Sequence, residues 1–193
     1  MKLAHFDIFA GISGDMFLAL LLDLGFPEKA LREGLAALDL PGWELSADRA
    51  AAGVIAATGF TVTVTSPQPQ RSWAEIQNLL AEARLSTTVR DRALAIFATL
   101  AEAEAKVHGC PVESVHFHEV GAVDSLIDIV GAALGLAYLG IDRLVASPLP
   151  LGRGTIDCAH GRLPLPAPAT CELLKGMPVY GVGLDQELVT PTG

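Results

Sequence analysis

HFHEVGAVDSLID, residues 116–128, combines a short alternating pattern with the beginning of a helical one. If residues 115–118 are extended, His116 and His118 lie on one face of the strand and Phe117 lies on the other. A turn with glycine follows, and then apolar residues recur at helical spacing. The order strand, turn, helix within so short a stretch indicates a chain that mixes both kinds of element.

The helical half of this stretch carries two acids. A helix over 122–139 places Asp124 and Asp128 four residues apart on one side, where like charges repel. A cation between them would relieve the repulsion, and so would the positive N-terminus of the helix. Together with Glu119 and the two histidines they form a dense set of potential metal ligands. We favour a functional site here over the ordinary role of acids in a first helical turn.

Composition limits the classes of protein to consider. The chain has 193 residues, of which 51% are apolar and 18% charged, so it folds and is long enough for a proper core. A net charge of −9 argues against nucleic acid or an anionic membrane as the main partner. The three cysteines form no CxxC pair, and no signal peptide or spanning segment is evident. We expect a cytoplasmic protein; its oligomeric state is open, and a homo-oligomer is compatible with the sequence.

The pattern of elements predicts an α+β fold, with helices packed on a mixed β-sheet, in one domain over 1–193. We expect helices over 16–24, 27–38, 72–83, 86–108, 122–139 and 169–174. Strands are expected over 3–9, within 43–65, over 144–151 and over 155–157. The strand over 3–9 should pair with one near 144–150, because both are short and apolar on one face.

The first strand leads into a glycine-bracketed turn. His5 and Asp7 share one face of that strand, and Gly11-Ile12-Ser13-Gly14-Asp15 then meets the N-terminus of a helix. Backbone N–H groups of such a turn, with the helix dipole, can hold a phosphate. The alternative is a plain turn in which Ser13 caps the helix and Asp15 complements its dipole. The glycine pattern by itself favours the plain turn.

The long predicted helix carries a carboxylate on its apolar side. Glu104 lies within the apolar stripe and His108 follows it by four residues, whereas Glu102 faces solvent. A buried carboxylate is costly unless it is paired or bound to metal. The two residues are therefore either metal ligands or a simple ion pair at the end of the helix.

A third group of potential ligands lies near residue 160. Cys158 and His160 could add a sulfur and an imidazole donor, a mixture that suits nickel or zinc. Cys158 is as readily explained as a small buried side chain.

Four segments together resemble one family, LarC, the nickel-insertion proteins of nickel-pincer nucleotide cofactor synthesis. They are HFD (5–7) with GISGDM (11–16), AEAKVHG (103–109), HFHEVGAVD (116–124) with DIV (128–130), and HG (160–161) with PLPAPAT (164–170) and TPTG (190–193). The family continues past the last segment into a C-terminal domain. The resemblance therefore implies that this chain corresponds to the N-terminal domain of a longer protein.

The resemblance implies a nickel chelatase or cyclometallase of the lyase class. Its members insert nickel into pyridinium-3,5-bisthiocarboxylic acid mononucleotide, forming two Ni–S bonds and one Ni–C bond. The reaction uses CTP with Mg²⁺ or Mn²⁺, and the product serves lactate racemase. CTP binding is associated with the C-terminal domain, so this region alone is expected to be inactive or only partly active.

Ligand chemistry and the resemblance together assign roles to residues. Nickel must be captured yet handed over, which favours imidazole and carboxylate ligands over a thiolate cage. The expected metal ligands, for nickel or for Mg²⁺, are His5, Asp7, Glu104, His108, His116, His118 and Asp128. The expected catalytic residues are Glu119 and Asp124, since a base must accept the proton lost from the ring carbon. The substrate phosphate is assigned to Gly11, Ser13, Gly14 and Asp15.

Three alternatives remain open at this point. A nickel-binding module could deliver metal without performing chemistry. A divalent-metal phosphohydrolase could use the same histidines and aspartates. Finally, the residues could have a purely structural role, with His116 and His118 exposed and apart.

Overall fold

The computed structural model describes residues 1–118 and 122–193, and it confirms the α+β class. Its helices are α1 (Gly14–Asp23), α2 (Glu28–Leu35), α3 (Trp73–Glu82), α4 (Thr87–His108), α5 (Val123–Tyr138) and α6 (Pro168–Leu173). Each begins and ends within a few residues of the range expected from the sequence. Among the described residues, no helix has both the length and the hydropathy that crossing a bilayer demands.

Within residues 1–118 and 122–193, the strands form five two-stranded sheets, two parallel and three antiparallel. They are β1 (Leu3–Phe6), β2 (Trp43–Ala52), β3 (Ile55–Val64), β4 (Arg71–Ser72), β5 (His116–Phe117), β6 (Arg143–Ala146), β7 (Leu149–Leu151), β8 (Thr155–Cys158), β9 (Gly161–Pro164) and β10 (Val179–Gly181). The predicted pairing of the first strand is confirmed, since β1 lies parallel to β6 with Leu3 opposite Arg143. The region 43–65 is one long hairpin of β2 and β3.

Helix α5 is the centre of the larger core. Its residues Leu126, Ile127 and Val130 are fully buried, and it packs against α1, α2 and α4. Gly131 permits the close approach of α1, because a Cβ there would lie 2.9 Å from Leu18. This glycine therefore serves helix packing.

Both ends of α4 follow from the sequence. Ser86 accepts a hydrogen bond from the backbone N–H of Val89, and Gly109 ends the helix with φ of 64°. The last helical residue is His108, so its side chain projects from the final turn beside the chain that follows.

Candidate metal centre

Three histidines from three separate elements meet at one place on the surface. His108 ends α4, His118 follows β5, and His160 lies in the turn between β8 and β9. We call this group the three-histidine cluster. A potential ligand nitrogen from each ring lies within 4.8 Å of those of the other two, and all three residues are exposed.

The ring geometry of the cluster suits a shared metal ion. His118 Nδ1 and His160 Nε2 lie 3.2 Å apart. Two nitrogens bound about 2.1 Å from one ion, at an angle of about 100°, are separated by about this distance. The ring of His108 lies 5.0 Å from that of His160 and 5.6 Å from that of His118, measured between centroids. The ring of His108 therefore borders both of the other rings.

The type of donor indicates the type of metal. Imidazole nitrogen suits nickel, zinc, copper and iron, whereas Mg²⁺ and Ca²⁺ prefer oxygen. Because the cluster is open to solvent, further coordination positions on an ion there remain accessible to water or to an incoming ligand. Such a site can both accept and give up a metal.

Glu104 stands behind the cluster. Its Oε2 lies 3.4 Å from His108 Nε2, and its side chain is only 16% exposed. Metal-bound histidines commonly direct their second nitrogen to a carboxylate, which fixes the ring and strengthens it as a ligand. The pairing of Glu104 and His108 expected from their spacing is thus present. It is compatible both with a metal site and with a simple ion pair at the end of the helix.

His116 lies apart from the cluster. The alternation expected over 115–118 is confirmed, because Val115 and Phe117 are buried while His116 and His118 are exposed. His116 pairs in register with Ser72 of β4 and lies near Glu75. Within the described chain, the group of clustered ligands includes His118 and not its neighbour. The two rings lie on the same face of the strand, but of the two, His118 joins the cluster and His116 does not.

A second site lies where the N-termini of α1 and α5 meet. It is a cavity of about 280 Å³ whose polar walls are Ser13, Asp15, Thr61, Asp124, Asp128, Thr190 and Thr192. We call it the acidic cavity. Asp15 and Asp124 each sit in the first turn of a helix, and Asp128 follows one turn later on α5. The predicted i, i+4 stacking of Asp124 and Asp128 therefore holds.

The carboxylates of the acidic cavity influence one another. Burial raises the pKa of Asp128 to about 7, and the nearby charges of Asp15 and Asp124 add to the effect. Near neutral pH this carboxyl is therefore divided between its protonated and ionised forms. Such a group can exchange a proton, and a cation placed in the cavity would favour its ionised form.

The second half of the glycine turn, from Ser13 to Asp15, lines this cavity, and both of its glycines are closely packed. Gly11 has φ of 101°, and a Cβ there would lie 2.0 Å from the carbonyl oxygen of Leu188. A Cβ on Gly14 would overlap Asp128 in the same way, at 2.2 Å from its Oδ2. Ser13 is the N-cap of α1 by position, but its hydroxyl donates to the carboxylate of Asp15. Three acids close to the turn disfavour a bare phosphate, so phosphate binding here requires a cation.

Two of the remaining predicted site residues lie away from both sites. His5 and Asp7 lie exposed on β1 and just after it, and neither lines the acidic cavity nor belongs to the three-histidine cluster. Glu119 lies outside the described residues. The roles assigned to these three residues stay predictions.

His160 is the cluster member that the sequence pattern indicates least clearly. The pattern suggests it only as a ligand beside Cys158, whose thiol donates instead to the carbonyl oxygen of Gly161 at 3.3 Å. The sequence signal for His160 is a short polar turn between two extended segments, because a side chain in such a turn is exposed. His160 and His118 are 42 residues apart in the sequence, so no local pattern predicts their contact.

The fold and the two sites define an α+β protein with an exposed imidazole centre and a separate oxygen-lined cavity. The sequence profile of the family described as nickel insertion protein matches residues 4–193. The chain belongs to this family.

Relatives from three bacteria support the assignment. Proteins of Geotalea daltonii, Pelobacter propionicus and Thermomicrobium roseum, each named for nickel insertion, are 55%, 58% and 50% identical to this chain. The matches cover 100%, 98% and 100% of the chain, but 50%, 49% and 48% of those proteins. The chain thus spans about half the length of the curated relatives it matches. No solved structure matches it significantly.

Proposed function

We propose that this chain captures nickel at the three-histidine cluster and takes part in inserting it into pyridinium-3,5-bisthiocarboxylic acid mononucleotide in a CTP-dependent reaction. The observation that carries the proposal is the convergence of His108, His118 and His160 on one exposed point. Nickel is the substrate of this reaction and is held only in passing. A face of three imidazole nitrogens suits that use, because it lacks the thiolates that would retain the metal.

Insertion requires that the ligands of nickel be exchanged for those of the acceptor. The thiocarboxylate sulfurs supply softer donors than imidazole, so transfer from nitrogen to sulfur is favourable for nickel. An exposed cluster with open coordination positions allows the first sulfur to bind before the last imidazole leaves. The metal then need not pass through free solution.

The acidic cavity would bind the phosphate groups of the substrates through Mg²⁺ or Mn²⁺. Hard divalent cations bind carboxylate and hydroxyl oxygens together with substrate phosphates. Asp15, Asp124 and Asp128 supply the carboxylates, and Thr190 and Thr192 line the same cavity. Those two threonines also line a neighbouring, mainly apolar crevice of about 430 Å³, which offers room for an aromatic ring beside a cation-bound phosphate.

Formation of the Ni–C bond releases a proton from the ring carbon. Glu119 and Asp124 are the bases expected from the sequence, and the pKa of Asp128, which burial raises to about 7, suits a proton acceptor near neutral pH. We assign the proton to one of these three carboxylates, Glu119, Asp124 or Asp128. The lyase class and the need for a C-terminal domain in turnover belong to the same proposal.

The test is a nickel titration followed by transfer. Calorimetry should give one nickel ion per chain, and addition of the mononucleotide, CTP and Mg²⁺ should move the metal to the acceptor, detected by mass spectrometry. If this region lacks turnover alone, the transfer step is measured on the full-length Geotalea daltonii relative. The double variant His108→Ala, His118→Ala should lose binding, whereas the control His116→Ala should keep it.

The outcomes separate the candidate functions. Equal nickel affinity in the double variant and in the His116→Ala control would remove the proposed centre. Nickel binding without transfer by the full-length relative would favour a delivery module, which the exposed position of the cluster also supports. Release of phosphate from simple nucleotides without nickel would favour the phosphohydrolase.

A further inference from the structure

The apolar crevice of about 430 Å³ lies directly beside the acidic cavity. Thr190 and Thr192 belong to the walls of both, and their hydroxyl oxygens lie 3.2 Å apart. Among the side chains that the structure describes in the wall of the crevice, none carries a charge. The two spaces therefore share a polar boundary, with oxygen donors on one side of it and mainly apolar groups on the other.

The wall of the crevice includes an aromatic ring. Phe17 of α1 lines it, and its ring stacks on that of Phe6, with centroids 5.1 Å apart and an angle of 20° between the ring planes. Because Phe6 is buried, this stack holds Phe17 in place. Planar rings pack well on aromatic and aliphatic side chains, and sites for small molecules usually have volumes of roughly 300–1,000 Å³. The crevice therefore suits a planar ring in both lining and size.

One hydroxyl in this wall is buried without a partner. Thr170 of α6 lines the crevice and is only 1% exposed, and its Oγ1 makes no hydrogen bond to any described residue. A hydroxyl is both a donor and an acceptor, and burying it unpaired is costly. Unpaired buried groups of this kind are rare in native proteins, so a missing hydrogen-bond partner is expected at this point of the crevice.

Thr99 shows how an ordinary threonine in the same wall behaves. It lies on α4 and donates its hydroxyl to the carbonyl oxygen of Ala95 at 3.1 Å. This bond to the residue four positions earlier is the usual one for a threonine within a helix. Thr170 also belongs to a helix but makes no such bond. Because a helical threonine has two rotamers to choose from, the Thr170 hydroxyl can turn to meet a molecule in the crevice.

We propose that the apolar crevice binds the planar ring of a nucleotide and that Thr170 is its specificity residue, with the hydroxyl hydrogen-bonded to a polar group on the edge of the ring. The inference rests on the proposed function, because the acidic cavity would hold the phosphate of the same nucleotide through Mg²⁺ or Mn²⁺. Both reactants of the proposed reaction, the pyridinium mononucleotide and CTP, combine such a ring with phosphate. A site that bonds a group on the ring discriminates strongly against rings that lack the group.

The experiment is a set of calorimetric titrations of the full chain in the presence of Mg²⁺. The probes are nicotinic acid mononucleotide, which represents the pyridinium reactant, and cytidine monophosphate, which represents CTP. Wild type is compared with Thr170→Val, which replaces the hydroxyl by a methyl group, and with Thr170→Ser, which keeps the hydroxyl. Thr99→Val is the matched control, because that hydroxyl is already bonded within α4. Urea unfolding of all four proteins is measured without ligand.

We expect at least one probe to bind wild type, with one molecule per chain, and the probe that binds more tightly identifies the reactant. Thr170→Val should weaken this binding about tenfold, the effect of one lost hydrogen bond, whereas Thr170→Ser and Thr99→Val should bind nearly as wild type does. Without ligand, Thr170→Val should unfold at the same or a higher urea concentration, because it removes a buried, unpaired hydroxyl. A purely structural role for Thr170 predicts the opposite result, a lower urea midpoint with unchanged affinity.

Nickel titration of the same preparations separates this inference from the proposed function. If wild type binds nickel but neither probe, or if Thr170→Val binds a probe as tightly as wild type, the ring site is overturned and nickel capture stands. If wild type binds a probe in a Thr170-dependent way but binds no nickel, the proposed nickel function is overturned and the nucleotide site stands. Probe binding that persists unchanged without Mg²⁺ would overturn the link between the crevice and the acidic cavity.

Discussion

The three-histidine cluster is exposed and presents nitrogen donors, whereas the acidic cavity is partly enclosed and presents only oxygen donors. The cluster is assembled from a helix end, a strand end and a hairpin tip, so its members come from distant parts of the sequence. The cavity is assembled at two packed helix N-termini, α1 and α5. One centre therefore depends on how elements meet at the surface, and the other depends on how two helices pack.

This difference teaches how one chain can keep two cations apart. Borderline metals such as nickel prefer imidazole, while Mg²⁺ and Mn²⁺ prefer carboxylate and hydroxyl oxygen. A carboxylate pocket that also bound nickel strongly would compete with the histidines for it. In the proposed reaction, separation by donor type would let both cations be present together. The predictions below test this separation.

The largest expected effect is on nickel affinity. His118→Ala removes one of the two nitrogens that lie 3.2 Å apart, so nickel affinity should fall by at least about 100-fold. Mn²⁺ affinity, measured by electron paramagnetic resonance, should stay within about twofold of wild type. A parallel loss of Mn²⁺ binding would mean that the two centres act as one.

The next effect concerns stability and pH. The pKa of Asp128 is raised to about 7 in the folded protein, above the value of about 3.9 for an unfolded chain, so folding favours its protonated form. Its contribution to stability is full below about pH 4 and is lost as pH rises to about 7. We expect a fall of about 2 kcal/mol, since each unit of pKa difference corresponds to 1.36 kcal/mol and solvent at the cavity mouth screens part of it.

Urea unfolding of wild type and Asp128→Asn at several pH values measures this contribution. The variant should lack it, so the difference in stability between the two proteins should change between pH 4.5 and pH 8. At pH 8, added Mg²⁺ should stabilise wild type more than the variant. A constant difference across that range would show that the carboxyl titrates normally.

A smaller effect is expected for the cation of the cavity. Asp124→Asn removes one carboxylate charge from the mouth of the acidic cavity, so Mn²⁺ affinity should fall about tenfold. Nickel affinity should be unchanged, so the effects on the two metals should be the reverse of those expected for His118→Ala. Loss of nickel binding here would contradict the assignment of each metal to its own donors.

The smallest effect is expected behind the cluster. Glu104→Gln keeps the shape of the side chain beside His108 but removes its charge, so nickel affinity should fall about three- to tenfold. Glu102→Gln, on the exposed side of the same helix, is the matched control and should have no effect. X-ray absorption of bound nickel should show the same number of imidazoles in both. A change in coordination number in Glu104→Gln alone would make Glu104 a direct ligand.

Several features could be predicted from the sequence because they depend on neighbouring residues. The alternation around Phe117, the i, i+4 relation of Asp124 and Asp128, and the pairing of Glu104 with His108 all follow from the period of a strand or a helix. The pairing of β1 with β6 was also expected, since both are short strands with one apolar face. The first three features depend on residues that are close together in the sequence. The strand pair follows from a simple rule for pairing short apolar strands.

The composition of the three-histidine cluster could not be obtained in this way. His116 and His118 lie on the same face of one strand, but pairing with β4 places His116 opposite Ser72, while His118 lies past the strand end and contacts the hairpin. His160 depends on a hairpin whose second strand, β9, was not expected. Contacts between elements far apart in sequence leave no periodic trace.

The sequence by itself determined the α+β class, the approximate bounds of the helices, the family and the presence of potential metal ligands, because residue type, spacing and motif are properties of the chain. Only the tertiary structure decided which of those residues share a site. It excluded His116 from the cluster, added His160, and buried Asp128 beside Asp15, so that burial first and the neighbouring charge second raise the pKa of Asp128. Coordination and charge coupling act over a few ångströms in space, and that closeness exists only once the helices and the hairpin have packed.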